Sequence, residues 1–278
     1  MDVPSEPSAG LHRIGTYRRR VSVPPARVFE NALDWEHLPW LHAQDFASIE
    51  LRESGAWGWR ARVGLRPESR GAIDLELLLH RENATWVSRP YGPGESAGEI
   101  WTQATPAGAD GGLTDLEIAF WVPEKLRPHG DALFARYRDL YERLWDQDEA
   151  MSWTRERFFA KRRARSGHAA PVEVDLGSPA SVRARLPLVV EVAGERFRLV
   201  ETDGELVVHA ATCPHWLGPL DVGPVVDGCV TCPWHGYRYD VRTGKSADGR
   251  GLELARPPAL CVEGDRVVLR AAGARQSS

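Results

Sequence analysis

The chain has 278 residues, 42% hydrophobic and 27% charged, with a net charge of −4. That is the composition of a folded globular protein with room for one large or two ordinary domains. The small acidic excess argues against nucleic acid as the main partner, and no apolar run reaches the roughly 18 residues a membrane helix needs. The opening residues 1–10 are polar and lack the basic and apolar regions of a secretory signal, so they read as a disordered tail.

From His12 to Val23 the sequence reads as a strand with a run of three arginines, Arg18 to Arg20, whose default is a solvated edge. Pro24 and Pro25 then open a helix with Val28, Phe29, Ala32, Leu33 and Trp35 on its apolar side. Within and beyond it lies D-x-x-H-x-x-x-x-H, formed by Asp34, His37 and His42. Asp34 and His37 are expected on one helical face, and Pro39 is expected to kink the helix so that His42 converges with His37. Two converging imidazoles suit iron(II), copper or zinc.

Six strand-like stretches follow: Phe46 to Leu51, Trp57 to Val63, Ile73 to His80, Thr85 to Arg89, Glu99 to Thr105 and Leu113 to Trp121. Several alternate apolar and polar residues, and Gly- and Pro-rich turns separate them, which predicts an antiparallel sheet. A long helix is expected over about Asp131 to Arg163, with Leu133, Tyr137, Leu140, Tyr141, Leu144 and Met151 on one stripe. Asp148 falls on that stripe, whereas Asp146 points away from it. A buried carboxylate needs a partner, either an arginine such as Arg155 or a metal; the metal is favoured because two histidines and one carboxylate complete the facial triad of non-haem iron(II) sites. Of the tryptophans, Trp57, Trp59, Trp101 and Trp121 are candidates for core packing or for lining a pocket.

Residues 166–171 read as a linker, and from Val172 the chain breaks into short strands with glycine turns, among them Leu188 to Val192, Arg196 to Glu201, Leu206 to His209 and Val267 to Arg270. Between the last two stretches stand Cys213-Pro-His215 and Cys232-Pro-Trp-His235, a C-x-H and a C-x-x-H separated by sixteen residues. Two thiolates and two imidazoles fit either a tetrahedral zinc or a [2Fe–2S] cluster with two Cys on one iron and two His on the other. Each His shares a short loop with a Cys, and glycines follow at Gly218 and Gly236, which favours the cluster. His209 lies outside both loops and reads as structural. Cys229 and Cys261 remain; Cys229 reads as a small buried residue rather than half of a redox pair with Cys232.

The two loops, C-P-H-W-L-G-P-L and C-P-W-H-G-Y-R-Y-D, resemble those of Rieske [2Fe–2S] proteins. Asn31, Asp34, His37 and His42 resemble the N-x-x-D-x-x-H-x-x-x-x-H motif of Rieske non-haem iron oxygenases. The resemblance implies an α+β chain. Residues 11–165 would form a START-like, helix-grip catalytic domain with a mononuclear Fe(II). Residues 172–272 would form an all-β Rieske domain, and 273–278 a tail. The order is reversed relative to most of the family. His37, His42 and Asp148 would hold the iron. Asp34 would bridge a cluster histidine and His37, and Asn31 would sit near the iron without binding it. The extra disulfide of some Rieske proteins is absent, because Gly218 and Trp234 stand at its positions, which fits a reducing cytoplasm. Oxygenase chemistry implies O2 as co-substrate, a small and mostly apolar organic substrate, and hydroxylation, dihydroxylation or oxidative demethylation. No nucleotide-binding glycine motif is present, so a separate NAD(P)H-dependent reductase, with or without a ferredoxin, is implied. In the family the cluster of one subunit serves the iron of its neighbour within a trimer, so a homo-oligomer is expected. The competing reading is a Rieske electron carrier fused to a START-like ligand-binding domain; a zinc-binding interaction protein is the third.

Overall fold

In the computed structural model, residues 4–92, 98–109, 111–164 and 173–271 are described. They form two compact units that divide between Glu156 and Arg157. The expected linker 166–171 and the tail 273–278 lie outside the described residues. No described helix is long and apolar enough to cross a membrane.

In the first unit, strand β1 (Leu11–Val21) leads into helix α1 (Pro25–Leu33) and the short helix α2 (Leu38–Leu41). Strands β2 (Phe46–Gly55), β3 (Gly58–Leu65), β4 (Ala72–His80), β5 (Thr85–Pro90), β6 (Glu99–Ala107) and β7 (Leu113–Pro123) follow, and then helix α3 (Gly130–Ala164). The strands pair antiparallel in the order β1-β7-β6-β5-β4-β3-β2, so the first strand closes the sheet against the last. This is the START-like helix-grip arrangement expected from the sequence. One sheet face is apolar because the strands alternate. Its Trp59, Leu77, Trp86, Ile118 and Phe120 bury against Val28 and Ala32 of α1 and Tyr137, Tyr141 and Trp145 of α3. Phe120 fixes the helix: Tyr137 stacks on it at 5.3 Å between ring centroids and Tyr141 meets it edge-on at 5.2 Å.

The arginine run follows the period of two of a strand. Arg18 and Arg20 pair with Glu117 and Asp115, which stand directly opposite on β7. Arg19 points the other way and holds Asp146 and Glu149 of α3 at 2.6 and 2.7 Å. The run is thus half edge and half clamp, not a fully solvated one. Residues 1–10 are not wholly a loose tail either. The Ser8 backbone N–H and hydroxyl donate to the buried Glu99 carboxylate at 3.2 and 2.5 Å, tying this segment to β6.

The second unit holds strands β8 (Glu173–Gly177), β9 (Leu188–Val192), β10 (Glu195–Thr202), β11 (Glu205–Ala210), β12 (Val225–Val226), β13 (Cys229–Thr231), β14 (Arg238–Asp240), β15 (Ala259–Glu263) and β16 (Arg266–Arg270). They form three three-stranded sheets, β11-β10-β9, β12-β13-β14 and β15-β16-β8. Apart from the end of α3 (residues 157–164), the described residues of this unit hold one helical turn, α4 (Pro179–Arg183), whose Ser178 hydroxyl accepts from the Ser181 N–H.

Candidate functional site

Two clusters of ligand-type side chains stand out, one in each unit. In the first, α1 ends at Leu33. Asp34 leaves the helical region at φ −86° and ψ 87°, and His37 caps α2. Asp34 and His37 therefore do not share a helical face, and Pro39 does not kink a continuous helix. Proline instead occupies the first turn of α2, where its missing N–H costs nothing. The break brings the imidazoles together by another route: the His37 and His42 rings lie 4.9 Å apart at 75°.

Asp148 of α3 faces them. Its Oδ1 is 3.0 Å from His42 Nε2 and 3.5 Å from His37 Nε2, and it accepts from Asn31 Nδ2 at 3.0 Å. Asp146 is on the outside with Arg19, and Arg155 bonds Glu30 at 3.3 Å rather than Asp148. His37, His42 and Asp148 are all buried, and each offers a ligand atom within 4.8 Å of the others. Their outward nitrogens face polar groups. Asp34 lies 3.4 Å from His37 Nδ1, and the Gln147 side-chain oxygen accepts from His42 Nδ1 at 2.6 Å. A carboxylate or carbonyl on Nδ1 leaves Nε2 with a lone pair aimed at the shared point, the arrangement found behind metal-bound histidines. Gln147 was not singled out from the sequence; its only signal was its place beside Asp148.

The electrostatics match. Burial works against charge on His37, but Asp34 and Asp148 outweigh it and hold the imidazolium above its ordinary pKa. Burial likewise opposes charge on Asp148, but His42, His37 and Asn31 keep the carboxylate below its usual range. The pocket favours positive charge, which a divalent cation held there would supply in place of protons.

The triad opens onto a cavity of about 450 Å3 between the sheet and α3. Trp59, Trp86, Phe120, Leu144 and Trp145 line it. Of the four tryptophans named from sequence, Trp59 and Trp121 reach the cavity; Trp101 instead donates to Glu99 at 2.7 Å. Trp86 and Trp145 were not anticipated, since only the curvature of the sheet and the phase of α3 bring them inward.

In the second unit, the Cys213 loop turns back at Leu217, whose N–H donates to the Cys213 carbonyl at 3.0 Å. The Cys232 loop does the same at Gly236, at 2.9 Å. Cys213 and Cys232 are fully buried. The neighbouring Cys232 thiol and the Tyr239 hydroxyl, 3.4 Å from Cys213 Sγ, draw Cys213 down to about 7, while Cys213 and burial push Cys232 up. The His215 and His235 rings lie 4.6 Å apart at 80°. Thiols thus pair with thiol and imidazole with imidazole. Among the described residues only His37, His42 and Asp148 converge on one point, so these four are not arranged around a single tetrahedral ion. A two-iron cluster, one iron to the thiolates and one to the imidazoles, fits them. Gly218 faces this space: a Cβ there would stand 2.7 Å from Cys232 Sγ and 3.1 Å from the Trp234 ring. All four cysteines are free thiols, Cys229 being half-buried on β13 and Cys261 on β15. His209 is buried, bonded through Nδ1 to the Ala210 carbonyl at 2.9 Å, and burial holds it below its ordinary pKa.

Residues 173–256 match the family model of the Rieske [2Fe–2S] domain. Apoptosis-inducing factor 3 of Mus musculus is 34% identical over 82 residues, which are 30% of this chain but 14% of that protein. The ferredoxin component of a naphthalene 1,2-dioxygenase system from Pseudomonas aeruginosa is 28% identical over 82 residues, 30% of this chain and 79% of that protein. Truncated norcoclaurine synthase from Thalictrum flavum aligns over 50% of this chain and 91% of its own, with 13% identity and a TM-score of 0.38. The second unit of the chain, following a helix-grip unit in sequence, is a Rieske [2Fe–2S] domain.

Proposed function

We propose that the protein is a Rieske-type non-haem iron oxygenase acting on a small, mostly apolar organic molecule. The observation that carries this reading is the buried triad of His37, His42 and Asp148, with ligand atoms within 4.8 Å, at the wall of an apolar cavity. Cys213 and Cys232 would hold one iron of the [2Fe–2S] cluster and His215 and His235 the other. Mononuclear Fe(II), when bound by the triad, supplies O2 activation at the expense of electrons delivered through the cluster. The chain's own residues do the rest. Asp34 and Gln147 fix the orientation of His37 and His42, and Asn31 holds the Asp148 carboxylate by its Oδ1. The aromatic walls exclude water and hold the substrate beside the triad. A separate NAD(P)H-dependent reductase, with or without a ferredoxin, and assembly into a homo-oligomer complete the proposal.

Anaerobically purified protein should contain three irons per chain on this reading. His37→Ala should contain two, keep the electron paramagnetic resonance signal of the cluster, and lose substrate oxidation. Full turnover by that variant would sink the proposal. The likeness of the second unit to a ferredoxin component favours a second reading, an electron carrier fused to a ligand-binding unit. It expects two irons per chain in the unsubstituted protein.

A further inference from the structure

The cavity is apolar on average but carries hydroxyl side chains. Tyr141 lines it from α3, Ser88 from β5 and Thr102 from β6, and none of the three donates to or accepts from another described residue through its side chain. Thr102 is 3% exposed. Burial pushes the Tyr141 phenol well above its ordinary pKa, with the neighbouring Tyr137 and Asp148 adding to the rise; it is therefore a neutral O–H donor at any physiological pH. Its ring meets Phe120 edge-on, and its O–H is a donor that a ligand oxygen in the cavity can accept from.

We infer that the cavity binds an oxygenated ligand, an apolar ring body bearing a hydroxyl or carbonyl oxygen that accepts from Tyr141, rather than a plain hydrocarbon. The inference rests on the proposed function only in taking the cavity as the substrate site. Helix geometry adds a ruler. Tyr141 and Asp148 are seven residues apart on α3, hence about two turns or roughly 10 Å along its axis and on nearly the same face. An oxygen held at Tyr141 therefore lies about two ring widths from the triad, at the opposite end of the body from the carbon presented there. Ser88 and Thr102 face the same space from the sheet and serve a second oxygen.

The test is equilibrium dialysis of the iron-loaded protein against biphenyl and 4-hydroxybiphenyl, a pair differing in one terminal oxygen. 4-Hydroxybiphenyl should bind about 3- to 10-fold more tightly, the worth of one net hydrogen bond. Tyr141→Phe, which keeps the ring against Phe120, should erase the preference and leave biphenyl binding unchanged. Thr102→Val, a change at the other wall, should leave the single-oxygen preference intact. Equal affinity for the two probes, a preference that survives Tyr141→Phe, or no binding of either overturns the inference. Oxygen-selective binding through Tyr141 in a protein with two irons per chain would instead remove the oxygenase reading and leave this one standing.

Discussion

At the residue scale, the proposed iron site depends on groups that do not touch the metal. Gln147 sets which nitrogen of His42 is free, because its carbonyl oxygen accepts only from a protonated Nδ1. Gln147→Leu fills the same space without an acceptor. It should weaken iron binding about 10- to 100-fold, the usual cost of losing such a support, as measured by competition with a chelator, and leave the cluster spectrum unchanged. The sequence was legible here in part. His37, His42 and Asp148 announce themselves by residue type, spacing and helical phase. The identity of what holds them does not, since Gln147 on α3 meets His42 more than a hundred residues earlier in the chain only through tertiary packing. The cysteine and histidine pairs of the second unit were legible almost whole, because their ligands, turns and glycines lie within two short loops.

At the element scale, alternation located the strands of the first unit to within a few residues, because one face of the sheet is buried along its length. It failed at the break after Leu33. No glycine or proline marks that point, and Trp35 and Leu38 continue an apolar pattern across it. The short strands β12, β13 and β14, two or three residues each, carry too little pattern to be read singly. The β2–β3 connection tests how tightly the sheet is set. Gly58 has φ +129°, and a Cβ there would lie 1.8 Å from the Leu77 carbonyl oxygen on β4. Gly58→Ala cannot be absorbed by a side-chain rotation, since the clash is with backbone. It should destabilise the protein by roughly 2–4 kcal/mol, read as a fall in denaturant midpoint, without altering the second unit's cluster signal.

At the scale of the whole molecule, the sheet is bound by charges as well as by its core. Glu76 takes Arg60 and Arg89 at 2.8 Å each, and Arg89 reaches on to Glu99 at 3.0 Å. Burial opposes ionisation of Glu99, but bonds from Ser8, Trp101 and Arg89 outweigh it and hold the carboxyl below its ordinary value of 4.5. A depressed acid stabilises the fold above its unfolded-state pKa, and that contribution fades as pH falls through the lower folded-state value. The gap in melting temperature between the unsubstituted protein and Glu99→Gln should therefore be widest near neutrality and close on acidification below about pH 4.5. A gap that widens in acid would contradict the assignment.

The triad also joins two parts of the chain far apart in sequence, where the Gln147–His42 and Asn31–Asp148 bonds already tie them. His37 and His42 sit on a segment between α1 and β2, broken twice in nine residues, while Asp148 belongs to a 35-residue helix. An ion shared by all three is a further cross-link between that segment and the helix. Mass action then makes iron a folding ligand: at a free concentration of about 100 times its dissociation constant it should add about 2.7 kcal/mol to the stability of the first unit. Calorimetry under anaerobic conditions should show the first unit melting at a temperature that climbs with added Fe(II), while a weak chelator lowers it. The protein's tolerance of heat would thus report its iron supply directly, without any assay of turnover.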